Sequence, residues 1–231
     1  MLFNIDKCIV LHMGGKNQSC RYELGGIELR AVEQERDLGV IIHQSGKTSA
    51  QCSVASAKAN QVLGMIKRNI KWKNSEVIVR LYKALVRPRI EYCVQAWNPN
   101  LEKDKQLLEQ VQRRATKVIE GFGKLSYEER LRRTGLTTLE ERRTRGDLIE
   151  TFKTVKGLSD VKATKFFNLS ENNRTRGNSL KLEKKQCNSN IRRSFFSQRI
   201  VNEWNKLPEE VVAAESVNTF KNRLDKWRNS K

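Results

Sequence analysis

The sequence predicts an α+β fold that is mostly α: a small N-terminal antiparallel β meander, then a helical bundle, then a small C-terminal helical tail. Three observations predict it. Residues 1–43 hold short runs of β-branched or apolar residues separated by Gly and polar turns. From about Ser49 apolar residues recur at intervals of three and four, the period of a helix with one buried face. Between residues 158 and 190 that period is lost in a segment rich in Asn, Ser, Lys and Arg, and it returns near Ile191. The corresponding divisions are 1–48, a bundle over 49–157, a basic linker over 158–190 and a tail over 191–231.

The strand words are "KCIVLHMG", "CRYELGG", "IELRAV" and "DLGVIIH", with turns at "GGKNQ" and "LGGIE". Four strands this short bury little, so the meander must lean on other structure. The first helix carries Val54, Ala55, Ala59, Val62, Leu63 and Ile66 on one stripe, with Lys58, Lys67 and Arg68 near its edges. In the second, Val77, Ile78, Leu81, Tyr82 and Leu85 repeat at three and four. Its continuation, "LYKALVRPRIEYCVQAWNPN", contains Pro88, which lacks an amide donor and should kink or divide the helix. A third helix runs over about 101–119 through Leu107, Leu108, Val111, Ala115 and Val118 to the breaker Gly121. Short links between consecutive helices predict a bundle.

Two capping boxes follow. Ser126 with Glu129 should start a short helix, and Thr138 with Glu141 a longer one carrying Leu148, Ile149, Phe152 and Val155. "ERRTRGD" then falls on the polar side of the longer helix, as a solvated face or a phosphate contact. One short hairpin is expected around Asn173 to Leu182. In the tail, "IRRSFFSQRIVNEWNKLPEEVV" reads as a helix ended by Leu207-Pro208, and Ser216 caps a last helix with Val217, Phe220, Leu224 and Trp227 on one side. Phe195, Phe196, Trp204, Phe220 and Trp227 fall at core spacing and read as a small aromatic core.

Composition bounds the function. Of 231 residues, 38% are hydrophobic and 31% charged, which implies a thin core under a highly charged surface. The net charge is +19. Residues 1–50 balance six Lys or Arg against six Asp or Glu, while 51–100 hold nine against two and 151–200 twelve against three. An excess segregated in this way suggests a polyanionic partner, most simply RNA, DNA or their hybrid. No run is long and apolar enough for a membrane span, and the N-terminus lacks the features of a signal peptide, so a nuclear or cytoplasmic location is expected without a membrane partner. Five cysteines (Cys8, Cys20, Cys52, Cys93 and Cys187) are scattered without a C-x-x-C, which argues against disulfides and zinc; His12 and His43 are the only histidines. No metal site, cofactor or small-molecule substrate is expected.

No P-loop, G-x-G-x-x-G, G-x-S-x-G or H-E-x-x-H appears, and the pairs Glu128-Glu129, Glu140-Glu141 and Glu209-Glu210 sit in or beside basic helical segments. The order of the words carries more. "FNIDKCIVLHMG", "YELGGIEL" and "ERDLGVII", then "AKANQVLGMIKRNI", "LYKALVRPRIEYCVQAWNP" and "LLEQVQRRATKVIEG", resemble the carboxy-terminal part of LINE-type, non-LTR retrotransposon reverse transcriptases. "LSYEERLRRTGLTTLEERRTRGDLIETFK", "RTRGNSLKL" and "SFFSQRIVNEWNKLPEEVV" extend the resemblance over essentially the whole chain.

The resemblance implies that 1–48 corresponds to the end of a polymerase palm and 49–157 to a thumb. Lys7, in Asn4-Ile5-Asp6-Lys7, would match a lysine that helps protonate pyrophosphate. Asp37, Leu38, Gly39 and Val40 would match the primer-grip hairpin. The thumb-like helices would present Lys58, Lys67, Arg68, Lys71, Lys83, Arg87, Arg89, Arg113 and Arg114 to nucleic acid. The family's paired palm aspartates and their Mg2+ have no counterpart in this sequence, so Lys7 is vestigial and the chain reads as a non-catalytic, nucleic-acid-binding fragment of an RNA-directed DNA polymerase. Two other readings stay open: a piece of a complete, active reverse transcriptase, and a domesticated protein-interaction module that self-associates through an exposed palm edge.

Overall fold

The computed structural model describes residues 3–170 and 177–230; 54% of the chain is helical and 9% strand, an α+β fold that is mostly α. The chain divides into two compact units, Met1–Leu136 and Thr137–Lys231. The division falls before Leu139 and not after Gly157, so the last helix of the expected 49–157 bundle belongs to the second unit.

In the first unit, strands β1 (Ile9–Leu11), β2 (Glu23–Leu24), β3 (Ile27–Glu28), β4 (Arg30–Val32), β5 (Gln34–Asp37) and β6 (Val40–His43) form three separate pairs. β2–β3 and β5–β6 are antiparallel hairpins, as expected of a meander, whereas β1–β4 is parallel, with Val10 opposite Ala31. The β2–β3 hairpin lies between β1 and β4 in sequence and returns the chain in the direction it left. Val40 is the buried residue of these strands; the core is helical.

Helix α1 (Ser49–Asn69) turns Cys52, Ala55, Ala59, Leu63 and Ile66 inward. It packs on α5 (Glu102–Lys117), where Ser56 Oγ donates to the Leu107 carbonyl at 3.5 Å and Ser49 Oγ to buried Asp104 at 2.6 Å. Between them α2 (Ser75–Leu81) runs without a break through a π-turn (Tyr82–Val86) into α3 (Arg87–Glu91). Pro88 does not divide this helix but distorts it: the ladder widens ahead of it, and the Arg87 amide bonds the Tyr82 carbonyl, five residues back. Ile78, Tyr82, Val86 and Ile90 are all buried. Residues four apart drift by about 40° per step around an ideal α-helix, and the wider π winding keeps this row in line.

Cys93, with φ of 52°, turns the chain into α4 (Val94–Trp97). A polar chain crosses the core from the π-turn to α5 and Tyr127: Tyr82 Oη donates to Gln112 Oε1 at 2.8 Å, Gln112 Nε2 donates to Tyr127 Oη at 2.9 Å, and Tyr127 in turn donates to Glu109. Burial pushes both phenols up from their ordinary value, with Glu109 adding to the effect at Tyr127, so both remain protonated donors. Tyr127 opens α6 (Tyr127–Thr134), which Ser126 caps by accepting from the Glu129 amide at 3.1 Å. The reciprocal half of the expected box is missing because Arg132 and Arg133 hold the Glu129 carboxylate, pulling it down to about 2.

The second unit opens with α7 (Leu139–Val155), where Thr138 and Glu141 form the full capping box. The tail helix expected over 191–206 is three short pieces, α8 (Asn190–Ser194), α9 (Phe196–Arg199) and α10 (Val201–Asn205); extended Phe195 makes the first break, and a turn at Ile200 the second. After Pro208 come α11 (Glu209–Val212) and α12 (Val217–Asn229), the latter capped by Ser216. Phe152 stacks on Phe220 at 4.3 Å and Phe220 on Trp204 at 6.1 Å, which makes the aromatic core, while Phe195 stays outside it, 47% exposed.

Two expectations fail here for one reason: a small core needs every available segment. Residues 158–190 are more than a linker. Phe167 and Leu182 are buried in the core, Leu169 bridges Leu182, and Asn178 Nδ2 donates to the Trp204 and Leu207 carbonyls at 3.2 and 3.0 Å. The hairpin expected from Asn173 begins outside the described residues. Nor is "ERRTRGD" a solvated face, since Arg143 and Asp147 are buried. Arg199 donates to both Asp147 oxygens at 2.8 and 3.1 Å, and burial still lifts that carboxyl above its ordinary value. Arg145 grips Asp225 of α12 at 2.7 Å through both oxygens.

Removing one member of a buried pair strands its partner's charge, whereas replacing both does not. Asp147→Leu should therefore cost about 3–5 kcal/mol, and Asp147→Leu with Arg199→Met should lie closer to wild type than either single change, by urea unfolding. Arg145 holds the Asp225 carboxyl below the usual carboxylate range. That contribution is complete above the unfolded value of about 4 and is lost as pH falls through the depressed one. The stability gap between wild type and Asp225→Asn should accordingly be open at neutral pH and close on acidification.

Candidate nucleic-acid interface

The first unit contains an open groove of about 520 Å³. α1 supplies one side, the π-turn and α3 the other, and the β5–β6 hairpin contributes Arg36 and Gly39. Its floor is apolar: Val54, Val62, Met65, Leu85 and Pro88. Exposed Arg36, Lys58 and Arg89 stand around it, and among the described residues no carboxylate lines it. Such a surface suits an anionic chain that also has apolar faces, because the cations meet charge and the floor meets rings or sugars.

The hairpin that brings Arg36 to the groove is built on a two-residue turn. Leu38 and Gly39 have φ of 45° and 86°, the pair of positive values a type I′ turn requires. Glycine accepts this without cost; leucine does not, and the Leu38 side chain is 85% exposed. The turn is nonetheless held in place. Tyr92 Oη donates to the Leu38 carbonyl at 3.0 Å, the Ile41 amide donates to Gln51 Oε1 at 2.9 Å, and Trp97 Nε1 fixes the Tyr92 carbonyl at 2.7 Å. A Cβ on Gly39 would lie 3.3 Å from the Tyr92 ring.

The cations expected at nucleic acid are distributed unevenly. Lys58 and Arg89 meet at the groove, joined by Arg36. Lys67, Arg68 and Lys71 are exposed at the far end of α1 and just beyond it, and Lys83 is exposed on the π-turn. Arg87 is half-buried and paired with Glu91 at 3.6 Å; Arg113 stacks on the Tyr127 ring at 4.0 Å; Arg114 donates to Asn60 at 3.2 Å. Each of these last three has a partner within the fold, although Arg113 and Arg114 remain exposed. Arg36 went unrecognised because it sits in "QERD", where neighbouring acids cancel its charge in any count along the chain. Lys7 ends an exposed 3-10 turn, Ile5–Lys7, capped by Asn4. Among the described residues no group of three or more His, Cys, Asp or Glu could hold a metal ion, and no helix is long and apolar enough to cross a membrane.

The turn allows paired substitutions of opposite sign. Leu38→Asn should stabilise the chain by up to about 1 kcal/mol, since Asn tolerates the left-handed region. Gly39→Val should destabilise it by about 1–3 kcal/mol, from strain at positive φ and crowding against Tyr92. Urea midpoints measure both. Comparison with protein-family models, curated proteins and solved structures finds no match to this chain.

Proposed function

We propose that the first unit grips RNA, DNA or an RNA–DNA hybrid through its phosphates, in the manner of the thumb of the reverse transcriptases the sequence resembles, and that it does so without chemistry of its own. The observation that carries this reading is the convergence of Arg36, Lys58 and Arg89, from three separate elements, on a groove with an apolar floor and no carboxylate among its described lining residues. Cations brought together by folding displace counterions from a polyanion jointly, and that release drives most sequence-independent binding. Lys83 on the π-turn and the net charge of +19 add to the attraction at longer range. Phosphate contacts fix position and carry no sequence information, so the reading is of affinity without sequence preference. A partner of this kind is met in the nucleus or the cytoplasm.

The test is an anisotropy titration of a labelled hybrid duplex across salt. Wild type should bind with a log Kd that rises steeply with log salt. Replacing Arg36, Lys58 and Arg89 together by Gln should weaken binding at every sequence and flatten that slope by about 2–3, close to one for each phosphate left without its cation. The same number of neutralisations at Lys16, Arg30 and Lys47, outside the groove, should leave most of the slope intact. A slope equally steep in both triple variants would sink the reading.

A further inference from the structure

Between α1 and α2, Trp72 is 81% exposed, whereas Trp97 and Trp204 are 2% and 0% exposed. An indole is one of the largest apolar surfaces a chain can bury, so one held in water by an ordered backbone needs a reason. The backbone around it is ordered by bonds on both sides. The Ile70 amide bonds the Ile66 carbonyl at 3.0 Å, the Lys73 carbonyl accepts from the Glu120 amide at 2.9 Å, and Asn74 Oδ1 accepts from the Val77 amide at 2.9 Å. The ring therefore projects from a fixed support and not from a loose loop.

The residues that flank it in sequence are cationic. Lys67, Arg68 and Lys71 are exposed and Lys73 half-buried, and within 67–75 there is no Asp or Glu. Of the acids nearby, Glu76 is engaged by Arg80 at 2.7 Å, and Glu120 comes close through its backbone. An apolar protein surface docking on Trp72 would have to desolvate these cations without compensation. An unpaired nucleotide has no such conflict: its base has a π-face for the indole, and its flanking phosphates take the charges.

We propose that Trp72 is a stacking platform for an unpaired base, with Lys67, Arg68 and Lys71 holding the phosphates on either side of it. This rests on the nucleic-acid reading of the groove and adds a second contact to it, one selective for single-stranded over paired segments. In a duplex the base faces are already stacked, so Trp72 contributes only to single-stranded ligands.

The experiment uses the full chain and two labelled probes: an oligo-dT of about 15 nucleotides, within single-strand site sizes, and a hybrid duplex of the same length. Trp72→Ala should weaken oligo-dT binding roughly five- to 150-fold, the equivalent of about 1–3 kcal/mol for one stacked base, and leave the hybrid unchanged. Trp72→Phe should retain most of the affinity. Oligo-dT should quench part of the wild-type tryptophan emission and none of that part in Trp72→Phe. The proposal is overturned if Trp72→Ala binds oligo-dT like wild type, if it loses both probes equally, or if sedimentation shows a wild-type dimer that Trp72→Ala abolishes, meaning that a second copy covers the ring. Wild type binding the hybrid but not oligo-dT overturns this inference alone. Wild type binding neither overturns the groove reading as well.

Discussion

The first unit depends on a missing hydrogen. Pro88 cannot donate to the Ala84 carbonyl, and its ring would crowd that oxygen in a regular α-helix. The chain answers by widening the preceding turn, so that the Arg87 amide reaches back to Tyr82. Two consequences follow from that local repair. It aligns Ile78, Tyr82, Val86 and Ile90 on one buried row, and the row delivers Tyr82 to the polar chain through Gln112, Tyr127 and Glu109. It also sets Leu85, Pro88 and Arg89 along the outer side, where they become floor and rim of the groove. Core and candidate interface are thus two faces of one distorted helix.

The hairpin turn shows the same exchange of local for global preference. Leucine at a left-handed position costs free energy, and an exposed leucine returns none of it through burial. What holds the turn is external: Tyr92 on the Leu38 carbonyl and Gln51 on the Ile41 amide. Tyr92 is itself positioned by the left-handed Cys93 and by Trp97. Arg36 therefore reaches the groove through a chain of contacts that begins where the Pro88 helix ends, and its placement is only as firm as those contacts.

Much of this was legible in the sequence wherever one segment's own pattern decides its state. The stripe of α1, the caps at Ser126, Thr138 and Ser216, and the stop at Pro208 all act within a few residues. The misreadings occur where a distant partner decides. Asp147 looks like a surface acid on a polar face until Arg199, 52 positions later, draws it inward. Leu182 looks like part of a linker until Trp204 and its neighbours need covering. The parallel pairing of β1 with β4 depends on an intervening hairpin that strand propensity alone does not orient. At the groove, Lys58 is marked by its place at the edge of the α1 stripe and Arg89 by the resemblance of its segment to a thumb helix; Arg36 is marked by neither, because no stripe accompanies a four-residue exposed strand. Trp72 had a signal, an aromatic between two lysines in a polar link, but one that helical periodicity does not register.

The positive charge of the chain is divided between groups that hold the fold together and groups left at its surface. With a thin apolar core, the fold uses guanidinium groups as internal connectors. Arg130 reaches the Arg113 carbonyl and Thr116 at 2.7 and 2.9 Å, Arg145 and Arg199 close two-oxygen pairs, and Arg113 covers Tyr127. A planar fork with several donors suits such sites, whereas a strongly hydrated ammonium does not. The lysines are accordingly left outside: Lys58, Lys67, Lys71 and Lys83 are all exposed. Arg36 and Arg89 are not connectors of this kind: both stand exposed, on separate elements, at a groove with no carboxylate among its described lining residues. That convergence, more than the total charge, distinguishes the groove from the rest of a basic surface.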